Sequence, residues 1–391
     1  MSNKIIKTLG AAVLLSGVAG TATADVVIAK TETTSLSMFG ILDVGLLYQS
    51  NPSVDGEENI AMETSGLRQT VFGFKGDRQL DGSTSAFFNL EAHFDLDSGM
   101  FHGSGDAAGE ADDSSGNVLF RRQANIGLKG DWGSVIAGRQ YGPALLAHLG
   151  TEPRIFKEQF SNLYSWAYSQ LFSTVNDSAS EAGRNTNNDV GVFFKNAIQY
   201  RNKINGLDFG VLYSFGGQDG SSKNGNVIAV GASYETGPVI LSGSYQVMSD
   251  QDTGKDVVES YGVGAAYMIN DEVSLKVNFL NTENNDSFGN EVLDVESLGF
   301  GIDYKWSDKN SMTVAYYING DNTPDEDAET KSFVISNEYT MGESTTLYTS
   351  IAYVDADEMR TISQYATSVV AAPTAVGEKT TLVNVGINFA F

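Results

Sequence analysis

Residues 117–146 read NVLFRRQANIGLKGDWGSVIAGRQYGPALL, and the chain runs on to Asn188 through SNLYSWAYSQLFSTVNDSASEAGRNTNN without a regular period. In the first part Ala124, Ile126 and Leu128 alternate with Gln123, Asn125, Gly127 and Lys129. That period of two marks a strand with one apolar and one polar face. Gly130–Gly133 supplies a tight turn, and Ser134 to Gln140 forms a second strand running back. The stretch that follows has no sheet pattern, although compact domains rarely carry structureless loops beyond ~15 residues. A loop of that length is expected to carry function, and it decides how the rest of the chain is read.

Working outward, the same alternation recurs. Ser35 to Gln49 sets Leu42, Val44, Leu46 and Tyr48 against Asp43 and Gln49, and Ser85 to Asp95 sets Phe88, Leu90 and Phe94 against Asn89, Glu91 and His93. Leu207–Phe215, Val258–Met268, Val273–Thr282, Val295–Trp306, Met312–Asn319 and Thr345–Val354 repeat it. Each is about the ~10 residues a tilted strand needs to cross a bilayer. Short connectors such as Asn202–Gly206, Ile269–Glu272 and Ser307–Asn310 alternate with long acidic ones such as Ser50–Ser65, Asp97–Gly116 and Asp355–Lys379. All six prolines fall in these connectors, as a closed sheet requires, because proline removes a ladder donor. Aromatic residues gather at the strand ends, with Tyr48, Tyr213, Tyr245 and Tyr353 at one level and Trp132, Tyr234, Tyr267, Trp306 and Tyr339 at the other. The pattern predicts an all-β fold: a transmembrane antiparallel up-and-down β-barrel of about 16 strands. A soluble β-sandwich also alternates, but its strands and loops lack this regular length rule.

Residues 1–24 read as a secretory signal peptide, with Lys4 and Lys7 before an apolar run at Leu9–Ala19 and Ala22-Thr23-Ala24 at its end. Residues 25–391 then form a single barrel domain. Removing Lys4 and Lys7 changes the net charge from −25 to 22 − 49 = −27. So acidic a chain excludes nucleic acid as a partner, since phosphates demand basic surfaces. There are no cysteines to form disulfides, and no phosphate loop, dinucleotide motif or metal spacing is present, so neither a cofactor nor a metal is expected. Catalysis is not expected either. His93 sits on a strand beside Glu91, where a solvated wall histidine outranks a catalytic base, while His102 and His148 lie in loops.

The segment LFRRQANIGLKGDWGSVIAGRQYGP, with MFGILDVGLLY at Met38–Tyr48, VFGFKG at Val71–Gly76 and AFFNLE at Ala86–Glu91, resembles the general porins of Gram-negative outer membranes, in particular the trimeric family of Neisseria and its relatives. The resemblance covers the whole mature chain. It implies an outer-membrane homotrimer surrounded by bilayer and lipopolysaccharide, passing small hydrophilic solutes passively, with the long third loop, residues 141–188, folded into the lumen and narrowing the pore. It also implies a C-terminal signal read by the outer-membrane assembly machinery, here Phe389 and Phe391.

The expected pore-lining basic residues are Lys75, Arg121, Arg122, Lys129 and Arg139; strand parity places Arg122 and Arg139 with apolar neighbours, so these two rest on the resemblance alone. The expected acidic ones are Asp43, Glu91, Glu152, Glu158, Asp177 and Glu181. Carboxylates on the loop facing arginines across the gap would create a transverse field favouring polar solutes. Tyr164, Trp166 and Tyr168 are expected to anchor the loop to the wall. Relatives usually show S-R-x-G-F-K-G where this chain has Val71, and R-x-x-N-S-V where it has Phe193; these two missing arginines, with the acidic balance, predict weak cation selectivity. The alternatives are a substrate-specific channel for a phosphate, sugar or organic acid, in which the loop aromatics would form a slide, and a structural or adhesin barrel.

Overall fold

The structure, a computed structural model, describes residues 25–50, 58–101, 118–171, 185–217, 220–322, 328–357 and 379–391. Residues 1–24, expected to form a signal peptide, and Asp177, Glu181 and His102 lie outside the described residues. In chain order the strands are β1 (Val26–Lys30), β2 (Thr34–Gln49), β3 (Asn59–Thr64), β4 (Val71–Asp81), β5 (Thr84–His93), β6 (Gln123–Gly130) and β7 (Gly133–Tyr141). A short helix, α1 (Pro143–His148), and a two-residue strand, β8 (Asn188–Asp189), follow. Then come β9 (Phe193–Ile204), β10 (Leu207–Ser214), β11 (Val227–Thr236), β12 (Val239–Ser249), β13 (Asp256–Met268) and β14 (Val273–Asn285). The set ends with β15 (Glu291–Ser307), β16 (Asn310–Asp321), β17 (Ala328–Met341), β18 (Thr345–Asp357) and β19 (Lys379–Ala390).

Every neighbouring pair is antiparallel, and the sheet closes where β19 pairs with β2, from Leu382 opposite Gln49 to Ala390 opposite Ile41. The barrel has 16 strands. Nineteen strand segments reduce to that number because β3 and β4 pair in succession with β2 and form one interrupted span, β1 extends the line of β19 along β2, and β8 belongs to the long loop. Closure leaves no edge, so every peptide group in the wall has a partner where lipid offers none. The segment before the first span contains β1: its backbone pairs with the stretch of β2 that β19 leaves open, and Asp25 bonds Lys75 at 2.6 Å.

The alternation sorts as expected. Ile126, Val211, Val263, Ile302, Ile351 and Val385 point outward and are exposed, whereas Asp43, Asn278, Ser297, Ser336, Ser350 and Asn384 point into the lumen and are buried there. Trp132, Tyr234, Tyr245, Tyr267, Trp306 and Tyr353 are exposed on the outer wall near the strand ends. Amphipathic rings are favoured at that level.

Two interruptions shape the lumen. Between β3 and β4 the chain turns inward at Ser65, whose φ is +62°. There the Gly66, Leu67 and Arg68 amides converge on the Asp43 carboxylate, which also accepts from Tyr348 Oη and Asn388 Nδ2, each at 2.8 Å. The second interruption is a bulge between β7 and β9, where the register shifts between Gly138 and Gln140 and Arg139 faces two residues of β9, Lys195 and Asn196. Gly138 has φ +116°, and a Cβ there would lie 2.3 Å from the Ala124 carbonyl oxygen. Strict alternation breaks at this irregularity, and Arg139 and Gln140 are both buried inside the barrel. A Gly138→Ala variant is expected to lose ~1–3 kcal/mol from backbone strain alone, read as a lower temperature for converting the folded band on unheated gels to the unfolded one.

Candidate functional site

The loop leaving β7 enters the barrel at once. Pro143 opens α1 at its first turn, where its missing N–H is no loss. The helix lies on β10, β11 and β12. Gly231 makes room for it, since a Cβ there would sit 2.1 Å from the Pro143 carbonyl oxygen. His148 closes the helix with Nδ1 2.8 Å from Ser242 Oγ and Nε2 2.8 Å from Ser244 Oγ. Burial lowers its pKa to about 4, so the ring is neutral at ordinary pH. The folded value lies below that of the free side chain, so this contact is fully stabilising above pH ~6.5 and weakens on acidification towards 4.

Past α1, Glu152 organises the crossing. Its Oε2 accepts from the Arg154 and Phe156 amides, both at 2.7 Å, and its Oε1 accepts from the Asn162 amide at 3.3 Å and from Tyr317 Oη of β16 at 2.9 Å. Arg154 reaches Ser336 at 2.6 Å, Lys157 pairs with Glu338, and Gln159 accepts from Asn384. The chain then coils through two helical turns, Leu163–Ala167 and Tyr168–Leu171. Trp166 Nε1 donates to Ser260 Oγ at 2.8 Å, and Ser165 lies 3.1 Å from Ser297 Oγ. On the return, Asn185 and Asn187 bond carbonyls near β10, β11 and β12.

The return also brings in Asp189, which sequence reading did not single out. Its carboxylate takes Arg121 at 3.1 Å and Arg139 on the other oxygen. Burial alone would raise its pKa, but the two guanidiniums outweigh that and hold it below the usual carboxylate value. Arg122 meets Glu91 and the Tyr141 hydroxyl and lies over the Tyr141 and Phe193 rings, 5.4 Å from each centroid.

Each residue singled out in the sequence can now be placed. Arg121, Arg122, Arg139 and Glu91 form one buried cluster where β5, β6 and β7 meet the returning loop. Asp43 and Glu152 are fully buried, and their oxygens hold backbone N–H groups. Lys75 and Lys129 sit apart from this cluster, paired with Asp25 at 2.6 Å and Asp77 at 2.5 Å. Glu158 is half-buried on the loop, beside the inward turn that carries Arg68 and Gln69. The three loop aromatics divide: Trp166 is buried against the wall, while Tyr164 and Tyr168 are half-buried and stack on each other at 4.4 Å, nearly parallel. His93 lies 3.4 Å from an Arg121 nitrogen. Phe389 faces outward, and the Phe391 ring lies against Gly40. Asp189, Glu338, Tyr317 and Arg68 went unmarked because their partners lie far away in sequence, and a period of two reports only a residue's face.

A closed antiparallel barrel with an apolar outer belt, crossed inside by a loop fastened to its wall, defines a channel-type barrel of the bacterial outer membrane. More particularly, the chain belongs to the Gram-negative porin family, whose model matches residues 10–358. It is 27% identical over 291 residues to an outer membrane porin protein of Bordetella pertussis, spanning 67% of this chain and 66%, just under two thirds, of that protein's length. It is 23% identical to outer membrane porin protein 32 of Delftia acidovorans, across 91% of this chain and 94% of that protein. Among solved structures it resembles the anion-selective porin from Comamonas acidovorans, with a TM-score of 0.74, 21% identity and coverage of 92% and 100%. The protein is thus an outer-membrane β-barrel, and the matches do not single out the Neisseria branch.

Proposed function

We propose that the protein is a water-filled pore through which small hydrophilic solutes and ions diffuse passively, working as a homotrimer with a weak preference for cations. The observation that carries this reading is the loop from Pro143 to Leu171. It is fastened across the lumen to β12, β13, β15, β16, β17 and β19, narrowing the barrel without a hydrogen-bonded plug of its own strands. The constriction comprises Arg121, Arg122, Arg139, Glu91 and Glu158, with Lys75 and Lys129 further along the wall; Asp177 and Glu181 belong to the same loop in this reading. Weak cation selectivity rests on the acidic balance of the chain and on the pairing of the cluster's arginines with carboxylates. Val71 and Phe193, standing where the resemblance leads one to expect arginine, are both buried.

The same reading includes export by residues 1–24, assembly through a terminal signal at Phe389 and Phe391, and a setting of bilayer and lipopolysaccharide. It requires no cofactor and no catalysis. In planar bilayers the expected result is ohmic steps that grow in proportion to electrolyte conductivity, with reversal potentials slightly favouring potassium at pH 8. A clear chloride preference there overturns the selectivity. Conductance that saturates with, and is blocked by, one solute favours a substrate-specific channel, for which the stacked Tyr164 and Tyr168 would be the platform. No conductance at all favours a structural or adhesin barrel.

A further inference from the structure

We propose that the inward turn at residues 65–70 is a second constriction element, joined to the loop, and that Arg68 and Gln69 on it help to set the largest solute the pore admits. Asp43 is the positioning residue that holds this turn in place. The inference rests on the reading that the inward loop narrows a water-filled pore, and goes beyond it by adding a jaw from outside that loop.

The turn is built to stay inside the barrel. A strand running on unbroken from β3 to β4 would send these residues alternately to lipid and to lumen. Instead Ser65, Gly66, Leu67 and Thr70 are all buried, while Arg68 and Gln69 keep part of their surface open. The Asp43 carboxylate gathers three successive amides, those of Gly66, Leu67 and Arg68, and the Thr70 hydroxyl donates to the Asp43 carbonyl oxygen at 3.0 Å. Ser65 Oγ accepts from the Thr70 amide at 2.9 Å and closes the turn on itself. Gly66 lies against Tyr348 and Asn384, where a Cβ would run into both side chains. The turn therefore leaves the line of β2 and lies over β19 as far as β18.

The loop reaches the same strip of wall from the other side. Gln159 accepts from Asn384, and Lys157 pairs with Glu338 on β17, a carboxylate that also acts on Arg68. Between these two anchors the Glu158 amide meets the Leu67 carbonyl oxygen at 3.4 Å, and the Gln69 side chain bonds the Glu158 carboxylate. Loop and turn thus form one inward ridge, and Arg121 and Arg122 act on Glu158 from the entry to β6. A solute at this level meets the loop on one part of its circumference and the turn on another. The turn cannot simply yield to it, because each backbone amide pulled from Asp43 costs ~1–3 kcal/mol.

The test is entry of graded neutral oligosaccharides into liposomes, with single-channel steps recorded in planar bilayers; uncharged sugars report width independently of charge. Arg68→Ala and Asp43→Asn are expected to give larger steps and to admit the next larger sugar. The first shortens the side chain, and the second turns an NH2 group on the backbone amides that the carboxylate held. Arg68→Trp is expected to act in the opposite direction. Folding is read from the compact band on unheated gels, and the Arg68 variants, altered at a half-buried side chain, carry the test if Asp43→Asn does not fold. A merely structural role for the turn would lower the conversion temperature of Asp43→Asn and leave the size limit at the wild-type value in both Arg68 variants, which overturns the proposal. A conducting pore whose width ignores the side chain at position 68 defeats this inference alone, whereas the absence of steps in folded wild-type protein defeats the pore reading as well.

Discussion

Glu152→Ala is expected to release the loop from the wall and widen the channel. The carboxylate gathers three loop amides and the Tyr317 hydroxyl in a site closed to solvent. Each donor stranded by its removal costs ~1–3 kcal/mol, so the variant loses several kcal/mol of loop anchoring. What it held in place is strained besides: Ile155, Phe156 and Phe160 adopt φ of +62°, +49° and +64°. A β-branched or bulky residue adopts such angles only where its surroundings over-determine them. With Glu152 gone, that strain favours leaving the conformation. The measurement is single-channel conductance together with uptake of graded oligosaccharides into liposomes. Larger steps and a higher size limit are expected, while the barrel keeps its resistance to unheated detergent. Tyr317→Phe, which removes one of the four donors, is expected to act in the same direction but far more weakly.

Asp189→Asn is expected to produce the largest loss of stability among single substitutions in the lumen. One carboxylate holds both Arg121 and Arg139, all three groups being buried. Breaking such a set from one side leaves uncompensated charge and costs ~3–5 kcal/mol. The sign with pH follows from the arginines, which hold Asp189 below its ordinary value. Its contribution is therefore fully present above pH 3.8 and fades only as pH falls below that. Thermal conversion on gels at pH 7.5 should fall by many degrees in the variant, and the gap from wild type should narrow in strong acid. The added positive charge should also move the reversal potential towards chloride.

These predictions depend on residues of unequal legibility. The barrel could be read because the bilayer imposes one rule on every span, and Ile126, Val263 and Val385 obey it without reference to any distant partner. The inward loop could be read from its length and its resemblance to porins. What could not be read is what closes at long range. The orientation of Arg139, which simple alternation assigns to the wrong face, depends on the positive φ of Gly138 and the register shift against β9 beside it. The split of the second span depends on Asp43 collecting amides from residues 66–68, more than twenty positions away. Trp166 is buried and bonds the Ser260 hydroxyl, while Tyr164 and Tyr168 stack on each other, half-buried against the same apolar cluster, a division that their spacing in sequence does not show. Glu152 looks from sequence like any loop carboxylate, and only the closed barrel brings Tyr317 to it.

One physical division underlies the pore: one face of each strand meets lipid, and the other, with the loop it supports, meets water. The absence of cysteine in the natural sequence allows this to be measured directly. Val263→Cys on the outer face of β13 and Glu158→Cys on the inward loop, each reconstituted in bilayers, can be exposed to a charged, membrane-impermeant thiol reagent. Rapid labelling at position 158 with a stepwise change in current, and none at position 263, is the expected result. Equal labelling at both positions, or labelling at 158 that leaves the current untouched, would contradict it.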